Sequence, residues 1–399
     1  MPSVDLGLAL RLARNADPAS VPAALAAAAG PLGATDLVVY LVDFGQTVLE
    51  PVPDLRTHAN VPLTEGVGTT MAGRAFVHQR AVTAERNGET RVWVPVVEGS
   101  DRTGVLALTV PDDDDATLRS CEELGLFAGY LIATQSRCTD LYNLYRRRKA
   151  MTLAASIQWD LLPPLVVKAG DVAVAGLIEP AYEVGGDCFD YAVNGPVLDV
   201  AIIDAMGHGL TSAAVSGVAL GSYRHDRREG KPLTTIHENL AAVLTEHCGD
   251  RAFASGLLLR LDIATGEMSW TNAGHPLPLL VRGGRVIGEL EHRPTPPWGL
   301  FEGVPTEATE TLEPGDAVLL YTDGVIEARS KDGDEFGLER LADLVGQQAS
   351  EEAQPEEVVR RLVRSVLEHQ ASELADDATV VLVQWQGPTP HPDRDASRR

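Results

Sequence analysis

The sequence predicts an α+β protein of two domains, the larger built from two antiparallel sheets covered by helices, an αββα sandwich. Three observations predict it. A chain of 399 residues is too long for one ordinary core. Between 171 and 386 the apolar runs are short and several sit in hairpin pairs. The helical stretches of the same region come grouped in pairs.

Residues 1–30 read as two short helices broken at Asp17-Pro18. TDLVVYLVDFG is a strand with TVLEPVPDL as its partner, and GVGTTMAGRAFVHQRAV has helical periodicity. RVWVPVVEGSDRTGVLALTV reads as a hairpin turning at Glu98 to Thr103. An α+β domain over 1–112 accounts for these elements. The charge run PDDDD then starts a stretch of over 40 residues with little turn chemistry, ended by Pro163-Pro164. It predicts a helical connector over 113–162, either a dimer coiled coil or helices packed on their own domain.

In the third region, 163–386, strands are expected at VAVAGLIEPA, VLDVAIID, FASGLLLRLD, EMSWTNAG, PLPLLVRGGRVIG, AVLLYTD and ATVVLVQW. Helices are expected at SAAVSGVALGSYRHD, TIHENLAAVLTEHC, LERLADLVGQQ and EEVVRRLVRSVLEH. The polar, Pro-containing tail 387–399 reads as disordered.

Composition narrows the function. With 33 Lys and Arg against 57 Asp and Glu, the formal charge of −24 repels phosphate backbones and anionic lipid, so nucleic acid and membranes are not expected partners. Four scattered cysteines without a CxxC pair argue against a zinc cluster or disulfide framework and for a reducing compartment. No signal-peptide pattern opens the chain, and VPAALAAAAG is too short to span a bilayer, so a cytoplasmic protein is expected.

Four segments share one design, an acidic residue at the edge of a β-run beside Gly or a second acid: EVGGDCFD, AIIDAMGHG, LLYTDGVIE and ELADDATVVLV. Each alone is more simply a turn. Together they can place Asp187, Asp204, Asp323 and Asp376 on one edge of a packed core, where like charges need cations to neutralise them. Oxygen donors without a His or Cys partner at ligand spacing point to Mg²⁺ or Mn²⁺.

VGGDCFD, DAMGHG, TNAGHPLPLLV, YTDGVIEA and DDATVV, in that order, resemble the motif series of the metal-dependent PPM-type serine/threonine phosphatases, in the bacterial branch typified by the stage II sporulation protein E. AASIQWDLLPP resembles that branch's entry segment, and AGRAFVHQRAV with VWVPVVEGSDRTGVLALTV resembles a divergent GAF domain. The phosphatase resemblance spans about 150–386, with 17 positions from Asp187 to Asp204 and 53 from Asp323 to Asp376. It implies two ions, Mn²⁺ or Mg²⁺, with Asp204 bridging both. The Ala205 carbonyl and Asp187 would bind the second ion, Asp323 and Asp376 the first, with Asp377 in support. The implied reaction is direct attack of a hydroxide shared by the ions on a phosphoserine or phosphothreonine, without a phosphoenzyme. The implied substrate is a phosphorylated anti-sigma-factor antagonist or similar regulatory protein, with a homodimer as a further possibility.

Other residues carry plainer readings. His208 fits a cap better than a proton donor, and Asn272 and His275 fit a hairpin pin better than a substrate contact. Cys188 lacks a Cys-x5-Arg phosphate loop and reads as a packed thiol, and Glu183 is a candidate outer ligand. Gly185, Gly186, Gly207, Gly209 and Gly324 suit backbone conformations that side chains forbid. Two rival functions remain: a catalytically inactive relative that acts by binding a partner, and a ligand sensor whose second domain is an output scaffold.

Overall fold

A computed structural model of the chain describes residues 3–14, 17–53, 62–86, 88–183, 185–248, 252–300, 303–348, 354–370 and 376–388. Two compact units divide it, Met1–Ala150 and Met151–Arg399.

In the first unit, strands β1 (Thr35–Val42), β2 (Val48–Pro51), β3 (Glu65–Gly66), β4 (Val82–Arg86), β5 (Glu89–Glu98) and β6 (Asp101–Val110) form one antiparallel sheet, ordered β3-β2-β1-β6-β5-β4. Period-two alternation splits its apolar residues between two cores. Val39, Leu41, Leu106 and Leu108 pack under helices α1 (Leu6–Ala13), α2 (Val21–Ala29) and α4 (Asp115–Ser136). Tyr40, Val42, Val105 and Ala107 pack under α3 (Met71–His78). Only part of the periodic stretch 66–82 is helix, because Gln79 takes a left-handed conformation and ends it. The short helix α5 (Leu141–Arg146) returns to this unit, with Tyr142 Oη donating to the Pro18 carbonyl at 2.9 Å. The stretch 113–162 is therefore no continuous helix. Two of its helices belong to the first unit, and α6 (Leu153–Leu161) belongs to the second.

The second unit holds two sheets. One contains β9 (Asp187–Asn194), β10 (Val197–Ala205), β11 (Ala254–Asp262), β12 (Glu267–Ala273) and β15 (Ala308–Thr311), ordered β15-β12-β11-β10-β9. The other contains β7 (Val166–Ala169), β8 (Val172–Glu179), β13 (Leu279–Arg282), β14 (Arg285–Glu289), β16 (Ala317–Tyr321) and β17 (Ala378–Trp385), ordered β14-β13-β16-β17-β8-β7. All pairings are antiparallel. Helices α7 (Leu210–Arg228) and α8 (Leu233–His247) cover the first sheet. The short α9 (Asp323–Ile326) follows β16, and α10 (Leu338–Gln348) and α11 (Pro355–His369) cover the second. This is the αββα sandwich that the paired helices predict. β7, β9 and β15 are strands beyond those expected: β7 and β15 are four residues each, and in β9 acids at Asp187 and Asp190 interrupt the apolar run.

β10 shows how the layers are specified. Leu198, Val200 and Ile202 enter the core between the sheets, while Ala201, Ile203 and Ala205 face α7 and α8. By the same alternation Asp204 ends the inter-sheet face. Phe189, on β9, packs its ring against β8 at Gly176, where a Cβ would come within 2.5 Å of the ring. Gly176→Ala is therefore expected to destabilise this unit by about 1–3 kcal/mol through overpacking, read as a lower melting temperature with the secondary structure unchanged by circular dichroism.

Candidate metal centre

Strand register delivers the first two aspartates. Asp204, at the end of β10, pairs directly with Asp187 at the start of β9. From the opposite sheet, β16 ends at Tyr321, paired with Val380 of β17, so Asp323 leaves one strand just where Asp376 and Asp377 lead into the other. Gly324 makes that approach possible by lacking a side chain: a Cβ there would stand 2.0 Å from the Asp377 carbonyl oxygen. Its φ is not left-handed, so its requirement is space. Of the five candidate glycines, Gly207 and Gly209, with φ of 88° and 82°, adopt a conformation that side chains disfavour.

The carboxylates repel one another. Burial, then Asp323, Asp376 and Asp377, push the Asp204 carboxyl up to about 7, against a hydrogen bond from Ser255. Burial, Asp204 and Asp377 raise Asp187 well above the usual carboxylate range. Burial and Asp376 raise Asp323. The charged neighbours acting most on Asp204 are all acidic. Among the described residues, no three His, Cys, Asp or Glu side chains converge tightly enough to grip one ion; the acids are electrostatic neighbours at one end of the sandwich. Their chemistry fits a divalent cation: carboxylate oxygens, a backbone carbonyl at Ala205 facing Gly186, and mutual repulsion that positive charge would relieve.

The segment carrying Asp187 is held from two sides. Asp377 Oδ2 accepts hydrogen bonds from the consecutive amides of Gly185, Gly186 and Asp187 at 2.8, 2.6 and 3.2 Å. Ser212 and Ser216, one turn apart on α7, donate their hydroxyls to the carbonyls of Gly185 and Gly186. Asp187 Oδ2 accepts from the Thr322 and Thr379 hydroxyls at 2.7 and 2.6 Å. Thr322, Thr379, Ser212, Ser216 and Ser255 carry no sequence signal of their own, since hydroxyls on strands and helices are common; adjacency of Thr322 to Asp323 and of Thr379 to the Asp376 segment is the only cue.

His208 and Glu183 are exposed. Cys188 is buried in the α7–α8 core, and burial raises its thiol far from ionisation, as a packed thiol requires. Asn272 Oδ1 accepts from the His275 amide at 2.8 Å and Nδ2 donates to the His275 carbonyl at 2.9 Å, pinning that turn.

Comparison with known proteins agrees with this architecture. Residues 195–386 match the family described as Stage II sporulation protein E. Over 186 residues the chain is 26% identical to phosphoserine phosphatase RsbP of Bacillus subtilis, covering 45% of this chain and 46% of that protein. It is 26% identical over 270 residues to phosphoserine phosphatase RsbU of the same organism, covering 64% and 76%. The chain thus spans less than half of the first relative. In fold it is similar to the SiaA PP2C domain of Pseudomonas aeruginosa, with a TM-score of 0.50 and 20% identity over 58% of this chain and 94% of that one.

Two outcomes follow. Asp377→Ala strips three amides of their common acceptor, and a 10–100-fold weaker affinity for Mn²⁺ is expected in a calorimetric titration. For Asp204, a folded pKa near 7 lies above its unfolded value of 3.8, so its favourable contribution is complete below about pH 4 and lost as pH rises through 7. In EDTA the melting temperature should fall from pH 5 to pH 8. Mn²⁺ should restore it most at pH 8, and Asp204→Asn should flatten the slope.

Proposed function

We propose that this protein, whose residues 195–386 match the family described as Stage II sporulation protein E, is a divalent-cation-dependent protein serine/threonine phosphatase of the PPM type. The observation that carries the proposal is the crowding of acids from four separate segments, Asp187, Asp204, Asp323 and Asp376 with Asp377, at one end of the sandwich.

In this reading Asp204, set at the end of β10, Asp187, the Ala205 carbonyl, Asp323 and Asp376 would together hold two divalent ions, Mn²⁺ or Mg²⁺. Bound there, the cations would supply an activated water and offset charge on the phosphoryl oxygens. The chain's own part is placement. Thr322 and Thr379 fix the Asp187 carboxylate, and Asp377 with Ser212 and Ser216 fixes the backbone beneath it. Cys188 takes no part as a nucleophile, because a buried, protonated thiol is unreactive.

The substrate we propose is phosphoserine or phosphothreonine on a small regulatory protein, an anti-sigma-factor antagonist or one like it. The similarity to two phosphoserine phosphatases supports that class. We assign the N-terminal unit, residues 1–150, a GAF-like sensory role over this activity, in one chain or in a homodimer. Among the described residues no helix is long and apolar enough to cross a membrane.

Hydrolysis of p-nitrophenyl phosphate and of a phosphoserine protein by the full chain tests the reading. Turnover is expected with Mn²⁺ and not in EDTA, and Asp204→Asn or Asp323→Asn should reduce it by at least about 100-fold while the protein stays folded. Absence of turnover with intact Mn²⁺ binding would instead favour a non-catalytic partner-binding role.

A further inference from the structure

Three neighbouring chains run on past the end of the five-stranded sheet beside the carboxylates, and they leave large apolar side chains in solvent. Ala205 pairs with Ala254, and the next amide, that of Met206, donates to the Phe253 carbonyl at 3.0 Å. On the far side of that segment Ala254 and Trp298 exchange backbone hydrogen bonds of 3.0 and 2.9 Å. Gly299 lies so close that a Cβ there would stand 2.7 Å from the Ala252 carbonyl oxygen. Met206 is 58% exposed and Leu300 39% exposed, with the half-buried Phe253 on the chain between them. Leu210, the first residue of α7, is 52% exposed.

An exposed apolar residue on its own is ordinary. Here separate segments bring theirs together, and the same segments lack charge. Asp, Glu, Lys and Arg make up 23% of the chain, yet none occurs from Ala205 to Tyr223, from Ala252 to Leu259 or from Pro294 to Leu300. Depletion of charge around exposed Met, Leu and Phe is the composition of an interface centre. The position names the occupant. A phosphoserine has few bonds between Cα and phosphorus, so one that reaches cations held at Asp204 brings its own neighbours down onto the chain continuing from Asp204. A formal charge of −24 repels an acidic phosphoprotein at long range, and an uncharged rim attracts without regard to sign.

We propose that Met206, Leu210, Phe253 and Leu300 form the docking rim for the protein substrate, and that it receives apolar side chains flanking the phosphoserine. This rests on the phosphatase reading of the site and names what would separate a protein substrate from a small phosphate ester, which reaches the cations without crossing the rim. The unbranched thioether of Met206 suits a surface that must fit an irregular partner. Because these contacts persist whether or not the phosphoryl group is reacting, they act on KM and leave kcat alone.

The experiment uses the full chain with saturating Mn²⁺ and compares the wild type with Leu300→Ser and the Met206→Ser/Leu300→Ser pair. The substrates are p-nitrophenyl phosphate and two short phosphoserine peptides of equal length and charge, one with Leu and Val beside the phosphoserine, the other with Ser and Gly. The wild type should show a KM about 10-fold lower for the apolar peptide at similar kcat. The paired variant should lose that preference, with p-nitrophenyl phosphate turnover and Mn²⁺ affinity within a few-fold of the wild type. Both side chains are exposed, so folding should be little affected. Should Met206→Ser disturb Mn²⁺ binding, Leu300→Ser decides alone, with a KM for the apolar peptide raised about 3-fold. Equal KM values for the two peptides, or a preference that survives in the variants, overturns the inference while turnover of p-nitrophenyl phosphate upholds the phosphatase reading. A wild-type dimer that the paired variant dissociates, with peptide kinetics unchanged, also overturns it and gives the rim to a second copy of the chain. A folded wild type that binds Mn²⁺ and hydrolyses none of the three overturns both readings.

Discussion

Repulsion among carboxylates is the constraint around which the C-terminal unit is arranged. Two sheets end in aspartates gathered at one end of the sandwich, where burial and acidic neighbours hold Asp187, Asp204 and Asp323 above the usual carboxylate range. In a stability sense this is a defect, because buried like charges oppose folding. A fold that keeps such a defect stores a standing preference for cations at that point. The surrounding core has to absorb the cost. It does so with a continuous apolar layer from both sheets and with helices on both outer faces.

Holding charges together also demands a rigid frame, and the frame is polar. The Gly185–Asp187 segment has its amides bound by Asp377 and two of its carbonyls bound by serines of α7. The threonines at 322 and 379 belong to segments that also carry aspartates, so the residues fixing Asp187 move with its neighbours. Hydrogen bonds to ionised groups are shorter and more directional than apolar contacts. They can therefore define an orientation that packing alone leaves loose. Gly324 serves the same end, admitting the Asp377 backbone where any side chain would hold it off.

Much of this was legible in the sequence because it follows from period. Strands such as VLDVAIID and ATVVLVQW carry alternation or an unbroken apolar run, and the acids at their ends are visible by position. What escaped was set by tertiary contact. β9 begins and continues with acids that pairing to β10 and the arginines Arg224 and Arg227 make tolerable, the latter through Asp190. The long helical stretch after residue 113 is broken between two units, which depends on where each piece finds an apolar face. The supporting hydroxyls were invisible because Ser and Thr gain meaning only from what they touch. Gly324 stands at an expected glycine position, but proximity to the Asp377 backbone and not dihedral angle requires it.

Three successive amides pointing at one spot form the kind of concavity that elsewhere cradles an incoming phosphate. Here Asp377 already occupies it from within the chain. A phosphorylated substrate therefore finds that berth taken, and on the proposed reading its main attraction to the centre comes from the cations themselves. On that same reading ions would bind first and substrate second, so that cation supply would set whether the protein engages a target at all.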